Sequence, residues 1–411
     1  MKKKIIIPLL LLLAVAVYFL VFHKDKDLKY IPETADAVVL VDTKKLTGQY
    51  LFSLAIHPSG WSGDNTKGKS SASFKDSGIR IPDFVQIFHL KGSKFSEWYS
   101  VLELKDPQKF IAFLKKQKFT DNGNNKFQKD QYFVKIEGDR CIAGNSDLAF
   151  ETIQKQLFKS SANPVWDADK LIQNTLGSIS FISGKKVQNF SIELQNDGIE
   201  IKNNSNQEAF NSIASKLQKG TQFLEMELDQ KNLRNFTYFL DKGMADSLRA
   251  TSFKATANLE QVNDTIISYG YDDNFNEVEK MTFQKIVQPN YNIDIQSRDP
   301  GKAWAYLKAK KWINGQNQFT AILFQPNNIS ENNKGLIIRS TRNPVKLSPP
   351  LKENYILIRN NPLLLSSFKI LDNKELKMIS DIDYVLYGNK SKDYWITIKA
   401  KKGDLPLILR W

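Results

Sequence analysis

The chain has 411 residues, enough for two domains of average size, and 41% of them are hydrophobic, so each domain can bury a core. The formal net charge is +14, but the lysines are spread along the chain without an arginine-rich block, which favours solvated surfaces over nucleic-acid binding. The single cysteine, Cys141, excludes an intramolecular disulfide, and its sequence surroundings indicate a small core residue rather than a nucleophile.

The first predicted element is an apolar segment near the N-terminus. Three lysines precede an uncharged run from Ile5 to Phe22, which as a helix spans about 27 Å, close to the roughly 30 Å of a bilayer core. Residues 1–29 are therefore predicted to be a cytoplasmic N-terminus and an uncleaved transmembrane signal anchor, with the bulk of the chain extracytoplasmic, or periplasmic in a Gram-negative cell. Cleavage as a signal peptide, at the A-x-A pattern of Ala14 and Ala16, is the alternative. A lipid anchor would need a cysteine just after the apolar run, and none is present there.

Two later segments have nearly the same sequence. LKDPQKFIAFLKKQKF occupies residues 104–119, and SRDPGKAWAYLKAKKW occupies residues 297–312. Both are predicted helices, because Asp106 and Asp299 are good N-caps and the proline that follows each suits the first helical position. Lysines crowd the last turn of each segment, where the helix dipole favours cations.

Three further pairs of segments match in the same order, and together they predict a tandem duplication. The pairs are 40–54 with 227–240, 144–153 with 359–368, and 179–194 with 383–398. Short turns between alternating strands predict antiparallel pairing, and helices between the hairpins predict mixed layers. The predicted fold class is therefore α+β: an N-terminal transmembrane helix followed by two tandem, sequence-related α+β halves with antiparallel sheets.

The predicted boundaries place the first half at residues 30–207, a linker at 208–220 and the second half at 221–411. Residues 57–78 have no counterpart in the second half and are rich in glycine, serine and lysine, which predicts a flexible insertion. Because loops often carry binding residues, His57 and Trp61 are the possible contact residues. The simpler interpretation is a loop insertion that the fold tolerates and that has no function.

The sequence contains no signature of catalysis or of metal or cofactor binding. The three histidines form no HExxH sequence and no i,i+4 pair, and no Walker A or G-x-G-x-x-G sequence is present. A Ser-His-Asp triad stays open, although no G-x-S-x-G elbow supports it. In YDDNFNEVEK (271–280) a glutamate stands where a calcium loop needs glycine, so this segment is predicted to be a polar hairpin turn.

The segment YIPETADAVVLVDTKKL (30–46) resembles the start of the exported part in a loose group of bacterial envelope proteins of unknown function. The shared pattern is an Ile/Leu-Pro-x-x-Ala/Asp run that leads into a strand ending in aspartate, with a helix after it. The matching residues are Ile31, Pro32, Ala35, Asp36, Val38, Val39, Val41, Asp42 and Leu46. The resemblance implies an exported, membrane-tethered α+β protein, and it implies no activity.

These observations together predict a membrane-anchored extracytoplasmic binding or scaffold protein of the bacterial envelope that is not an enzyme. Its expected partners are the membrane, through the N-terminal helix, and an envelope protein or lipid, with no nucleic acid, metal or cofactor. One alternative is a carrier of lipid or another apolar ligand in a groove between the halves, since clefts between domains are common ligand sites. The other alternative is an envelope hydrolase with an unrecognised site.

Overall fold

A computed structural model of the chain describes residues 24–57, 77–158, 166–203, 208–218, 220–237, 241, 243–322, 327–341, 344–367, 371 and 373–410. These residues group into two compact units. The first contains the residues up to Asn203 together with those from Gly403 onward, and the second contains the residues between them.

The first unit is built on an antiparallel sheet with strand order β12-β11-β10-β2-β3-β4-β8-β7-β6-β5, and β1 pairs separately with β9. Its strands are β1 (Asp27–Leu28), β2 (Ala35–Asp42), β3 (Phe84–Leu90), β4 (Tyr99–Glu103), β5 (Thr120–Asp121), β6 (Lys126–Lys129), β7 (Tyr132–Glu137), β8 (Arg140–Gly144), β9 (Trp166–Asp167), β10 (Gly177–Ser183), β11 (Lys186–Gln195) and β12 (Gly198–Lys202). Its first four helices are α1 (Thr43–Ile56), α2 (Pro107–Lys116), α3 (Phe150–Phe158) and α4 (Ala168–Leu171).

Two apolar clusters form the core of the first unit. In one, Leu40 of β2 and Phe88 of β3 pack in the same cluster as Ile153 of α3. In the other, Phe110 and Leu114 of α2 pack with residues of β6, β7 and β8. The two buried residues of α2 are four positions apart and so lie on one face, which is why this short helix covers the sheet with a single apolar stripe.

The second unit is also an antiparallel sheet, with strand order β21-β20-β19-β13-β14-β15-β18-β17-β16. Its strands are β13 (Leu224–Asp229), β14 (Ala250–Tyr271), β15 (Glu277–Ser297), β16 (Gln318–Phe319), β17 (Asn327–Asn332), β18 (Gly335–Ser340), β19 (Asn354–Arg359), β20 (Ile382–Lys390) and β21 (Asp393–Ala400). Its helices are α5 (Glu208–Leu217), α6 (Gln230–Thr237), α7 (Met244–Ser247), α8 (Pro300–Ala309), α9 (Pro362–Ser367) and α10 (Asn373–Asp381). The last helix of the chain, α11 (Leu407–Arg410), belongs to the first unit.

The core of the second unit also consists of two clusters. Leu307 of α8 packs with Ile295 of β15 and Leu336 of β18 in one of them. The other contains Phe210 and Ile213 of α5, so the segment 208–220, predicted to be a linker, contributes a packed helix to this unit.

Two of the four repeated sequence pairs occupy the same place in their sheets. Asp106 and Asp299 each accept a hydrogen bond at 3.0 Å from the backbone N–H three residues on, at the start of α2 and α8, which follow β4 and β15. Asp42 and Asp229 likewise end β2 and β13 and accept from the N–H groups of Lys45 and Asn232. The predicted N-caps at Asp106 and Asp299 are therefore confirmed.

The other two pairs lie at different places in their sheets. The hairpin β10–β11 begins beside β2, whereas β19 separates the hairpin β20–β21 from β13. Residues 144–153 follow β8, which pairs with β4, while residues 359–368 follow β19, which pairs with β13.

The predicted α+β fold class with a transmembrane helix is wrong. The described structure is mostly antiparallel sheet, with 45% strand and 25% helix. Helix caps mark where short helices begin but not how much strand lies between them, and two of the alternating segments form strands of 22 and 21 residues, well beyond the average of five to six. Among the described residues the helices are short, the longest having 14 residues.

The predictions of an N-terminal signal anchor and of a single-pass membrane protein are corrected as well. None of the described helices is long and apolar enough to cross a bilayer. The longest, α1, would span about 21 Å, which is shorter than the roughly 30 Å that a membrane core requires. Residues 5–22, on which both predictions depended, lie outside the described residues.

Candidate interaction surface

The most exposed part of the described chain is the outer end of the hairpin formed by β14 and β15. The two strands pair from Ala250 with Ser297 to Tyr271 with Glu277. Near its base, β14 also pairs with β13 up to Ala257, and β15 with β18 up to Asn292. Residues 263–285, named the arm here, have only each other as strand partners among the described strands and form a ribbon about 30 Å long.

Five apolar side chains lie on one face of the arm. Residues that are directly opposite in an antiparallel pair point to the same side of a sheet, and the next pair points to the other side. The register therefore places the following exposed side chains together, and they are named the apolar face: Ile267 (52% exposed), Tyr269 (69%), Tyr271 (74%), Met281 (59%) and Phe283 (74%).

The other face of the arm is more polar. It carries Ser268, Lys280 and Thr282, together with Ile266 and Val278, which are 42% and 39% exposed. The two sides of the same ribbon are thus chemically distinct, and a partner that recognises apolar surface would bind one side of it.

The turn at the end of the arm is held by Asp272. Its carboxylate accepts the N–H groups of Asn274 at 2.9 Å and Asn276 at 2.8 Å, and these hydrogen bonds, with that of Asn276 the strongest, lower the pKa of Asp272. Phe275 adopts a positive φ of 60° in this turn and is 87% exposed. The predicted polar hairpin turn at 271–280 is confirmed, and it places an aromatic ring at the outermost point of the arm.

An exposed surface of this kind is unusual for a protein that acts without a partner. Large apolar side chains exposed singly are common, but a contiguous group on one face usually marks an interaction site. A two-stranded ribbon is also marginally stable in water when it stands alone. The arm therefore has the composition of one half of an interface.

The charge of the arm is opposite to that of the rest of the protein. Residues 263–285 contain five acidic and two basic side chains, a formal net charge of −3, in a chain of net charge +14. The remaining residues therefore carry +17. Such a surface repels anionic lipid and nucleic acid and attracts a basic protein surface.

Of the two contact residues predicted from the sequence, His57 lies at the C-terminal end of α1. The backbone N–H of His57 donates to the Ser53 carbonyl oxygen at the end of α1, and the ring atom Nδ1 lies 3.0 Å from the same oxygen. His57 thus terminates a helix. Trp61 lies outside the described residues.

The buried His89 lies near an aspartate and a serine, the residue types of a catalytic triad, but the serine does not donate to it. Its Nδ1 is 2.5 Å from the Asp36 carboxylate, and its Nε2 is 3.2 Å from Ser93 Oγ. The Ser93 hydroxyl, however, donates to the Leu90 carbonyl oxygen at 2.8 Å. Nε2 also lies 3.0 Å from the carbonyl oxygen of Lys94, which can only accept. Nε2 is therefore assigned as a donor, a state in which it takes no proton from serine.

The other candidates for chemistry are explained by packing. Cys141 is fully buried, and burial raises the pKa of its thiol to about 12, so the reactive thiolate does not form near neutral pH. Within the described ranges, no three His, Cys, Asp or Glu side chains are grouped so as to hold a metal ion.

The arm was not predicted from the sequence, although a signal for it was present. The sequence predicts the hairpin turn but not the length of the strands on either side, which have 22 and 21 residues. The alternating segments around the turn are several times longer than an average strand of five to six residues. One small domain cannot cover a pair of strands of that length from end to end. The length of the alternating segments is therefore a reason to expect an exposed ribbon.

Comparison with protein-family models, with curated proteins and with solved structures gives no match. The resemblance of residues 30–46 to bacterial envelope proteins therefore stays a prediction from the sequence.

Proposed function

We propose that this chain is a binding or scaffold protein that holds a protein partner with the apolar face of the arm. The observation that carries the proposal is the set of five large apolar side chains, all more than half exposed, on one side of a ribbon that has no third strand beside it among the described strands. Tyrosine, phenylalanine and methionine are the residue types enriched in the cores of protein interfaces.

The shape of the arm also supports this function. A two-stranded ribbon offers a flat face of side chains and two unpaired strand edges, both of which proteins use for recognition. The root of the arm is joined to the sheet of the second unit, so that the binding face is presented on a rigid support.

The alternatives from the sequence gain less support. The hydrogen bonds of His89 assign it a structural role, which does not favour the hydrolase alternative. The net negative charge of the arm does not favour an anionic lipid surface as its partner. The apolar-ligand carrier stays a prediction from the sequence.

Shortening the arm tests the proposal. Residues 264–284 are replaced by a two-residue Asn-Gly turn between Asn263 and Lys285, which pair directly and so preserve the register. We expect full-length protein isolated from its own cells under native conditions to carry a stoichiometric protein partner, and the shortened chain to lack it while unfolding at the same temperature. Recovery of the same partner in the same yield by the shortened chain would contradict the proposal.

The matched control is Tyr132→Ser. Tyr132 is also an exposed aromatic residue in a strand, at 49% exposure, but it lies in the first unit. The control chain is expected to retain the partner in full.

A further inference from the structure

A pocket opens in the first unit where β3 and β4 separate. Their pairing ends at Ile87 and Ser100. The chain that leads into β3 meets the end of β4 again where the backbone N–H of Arg80 donates to the Glu103 carbonyl oxygen at 2.9 Å. Between these two contacts lies a cavity of about 260 Å³. Ligand pockets usually measure about 300–1,000 Å³, so this cavity suits a ligand the size of one amino-acid residue.

The wall of the pocket is partly apolar and is fixed by hydrogen bonds. Leu28, Phe84 and Val101 line the pocket and are buried. The hydroxyl of Tyr30, which also lines it, donates to the Glu103 carboxylate at 2.6 Å. An apolar lining with a few oriented polar groups is the usual composition of a ligand site.

The buried amide of Gln86 provides a hydrogen-bond donor that lacks an acceptor. Gln86 lines the pocket and is only 8% exposed. Its Oε1 accepts the backbone N–H of Tyr30 at 3.1 Å, which assigns the other end of the amide as the NH₂ group. No described residue accepts a hydrogen bond from that NH₂ group. Because a buried donor without an acceptor is unfavourable, the pocket is suited to a ligand that brings an oxygen acceptor.

The Asp27 carboxylate is an anionic group of the same lining that has no counter-charge. Two neighbouring carboxylates are already paired, Asp25 with Lys29 at 3.3 Å and Asp83 with Lys44 at 3.0 Å. The Asp27 carboxylate has no hydrogen bond or ion pair with any described residue. It is therefore available to a cationic group of a ligand.

The surrounding charges also favour a cation beside Asp27. Its direct partner across the β1–β9 pair is Asp167, and like charges that are directly opposite in a sheet repel each other. The pocket is lined by four acidic and two basic side chains, a net charge of −2 (2 − 4). An ammonium group is therefore attracted to the pocket, whereas a carboxylate is repelled.

We infer that this pocket binds the first residue of a peptide chain, with the α-ammonium group at Asp27 and the carbonyl oxygen accepting from Gln86. N-terminal amines are a known target of peptide recognition. The carbonyl of a peptide is neutral, so it meets the Gln86 amide without the repulsion that the carboxylate of a free amino acid would experience. The apolar part of the lining suits an apolar first side chain. Ile81, which lines the pocket and is 61% exposed, offers apolar surface to the residues that follow.

This inference does not depend on the arm, which belongs to the other unit. The probe is the tripeptide Leu-Gly-Gly with an amidated C-terminus, mixed with the full-length protein. Ligand-observed NMR is run at pH 6.5, where a peptide α-amino group with a pKa of about 8 is protonated. A titration of this kind measures dissociation constants up to about 1 mM.

We expect the free tripeptide to bind, and its N-acetylated form to bind at least about tenfold more weakly, because acetylation removes the ammonium group. Equal binding of the two forms would overturn the inference. So would the absence of binding by the free tripeptide up to about 1 mM. Either result would leave the proposed function of the arm standing.

Two variants locate the binding in this pocket. Asp27→Asn keeps the shape of an exposed side chain and removes its charge, and Gln86→Leu removes the NH₂ donor. Each should weaken tripeptide binding at least about tenfold. The control is Asp404→Asn, at an exposed aspartate of the first unit outside the pocket lining, which should bind like the parent chain.

Thermal unfolding is compared first, since Gln86→Leu also removes the acceptor of the Tyr30 N–H. If that variant does not fold, Asp27→Asn decides the outcome. Binding by Asp27→Asn that equals that of Asp404→Asn would overturn the inference.

Discussion

Ile267 of β14 lies directly opposite Met281 of β15, and both side chains are more than half exposed, at 52% and 59%. Cross-strand apolar pairs of this kind are normally covered by a third layer. Here the pair forms the centre of the apolar face, with aromatic residues on either side of it.

Replacing this pair should change surface chemistry much more than stability. For the double variant Ile267→Thr with Met281→Thr, the loss of cross-strand contact is expected to cost no more than about 1 kcal/mol, because both side chains are already largely solvated. Thermal unfolding should shift by only a few degrees, while binding of a hydrophobic dye falls. As a comparison, Leu336→Ala removes a fully buried side chain and should cost about 2–5 kcal/mol. If the arm variant lost as much free energy of unfolding as Leu336→Ala, the arm would have to be covered in the free chain.

The paired helix caps should make similar contributions to the two units. Asp106→Ala and Asp299→Ala each remove a carboxylate that accepts a backbone N–H at 3.0 Å, so each should lower the free energy of unfolding by about 1 kcal/mol. Urea unfolding followed by circular dichroism measures the loss. Lys302→Ala is the control, since its ammonium lies 3.7 Å from Asp299 and is largely exposed, an ion pair worth little. An equal loss in the control would show that the charge pair, and not the cap, is responsible.

A methyl group at position 335 should be poorly tolerated. Gly335 has a φ of 153°, and a Cβ atom there would overlap the backbone carbonyl oxygen of Ile295, on the neighbouring strand. Gly335→Ala should therefore separate β18 from β15 and destabilise the second unit by several kcal/mol, on the order of 3 or more. Gly270→Ala is the matched control, because no atom lies within 4 Å of the corresponding Cβ in the arm. Similar unfolding midpoints for the two variants would contradict the close pairing of β15 with β18.

Stability should fall at high pH because of Cys141. Burial raises the pKa of its thiol from 9.0 to about 12 in the folded chain. Since the folded state holds this proton more tightly than the unfolded state, the contribution is full below pH 9 and is lost as the pH rises towards 12. The expected slope is at most about 1.4 kcal/mol per pH unit.

The Cys141→Ala variant provides the comparison for this effect. Unfolding is measured in urea from neutral pH to about pH 11 for both chains, and the difference between their slopes isolates the thiol from the tyrosines and lysines. The variant should lose less stability above pH 9 than the parent chain. Equal slopes would show that the thiol ionises normally in the folded state.

Local chemistry in the sequence was enough to predict several elements. Asp106 and Asp299, each followed by proline, predicted two helix starts, since a cap depends only on residues a few positions apart. The Asp272 turn was predicted for the same reason. The strand order could not be predicted, because the pairing of β19 with β13 joins residues more than 120 positions apart, and alternation shows that a strand exists without showing its neighbour.

The candidate site was harder to predict because it is defined by the exposure of its side chains, and exposure depends on which other elements lie nearby. Tyr269 and Phe283 have the same alternation as core strand residues, so the sequence alone assigns them to a buried face. Only the register with β13 and β18, which stops at Ala257 and Asn292, reveals that the arm extends beyond the sheet. His57, by contrast, was chosen for its loop-like surroundings and instead terminates a helix.

The most direct test of the central claim is photo-crosslinking from both faces of the arm in living cells. A photoreactive phenylalanine analogue is placed at position 269 or 283 on the apolar face, or at position 268 or 282 on the other face. If the apolar face binds a protein, discrete crosslinked products should form from positions 269 and 283 and be weak or missing from 268 and 282. Equal yields from both faces, or no product from any of the four positions, would contradict the account.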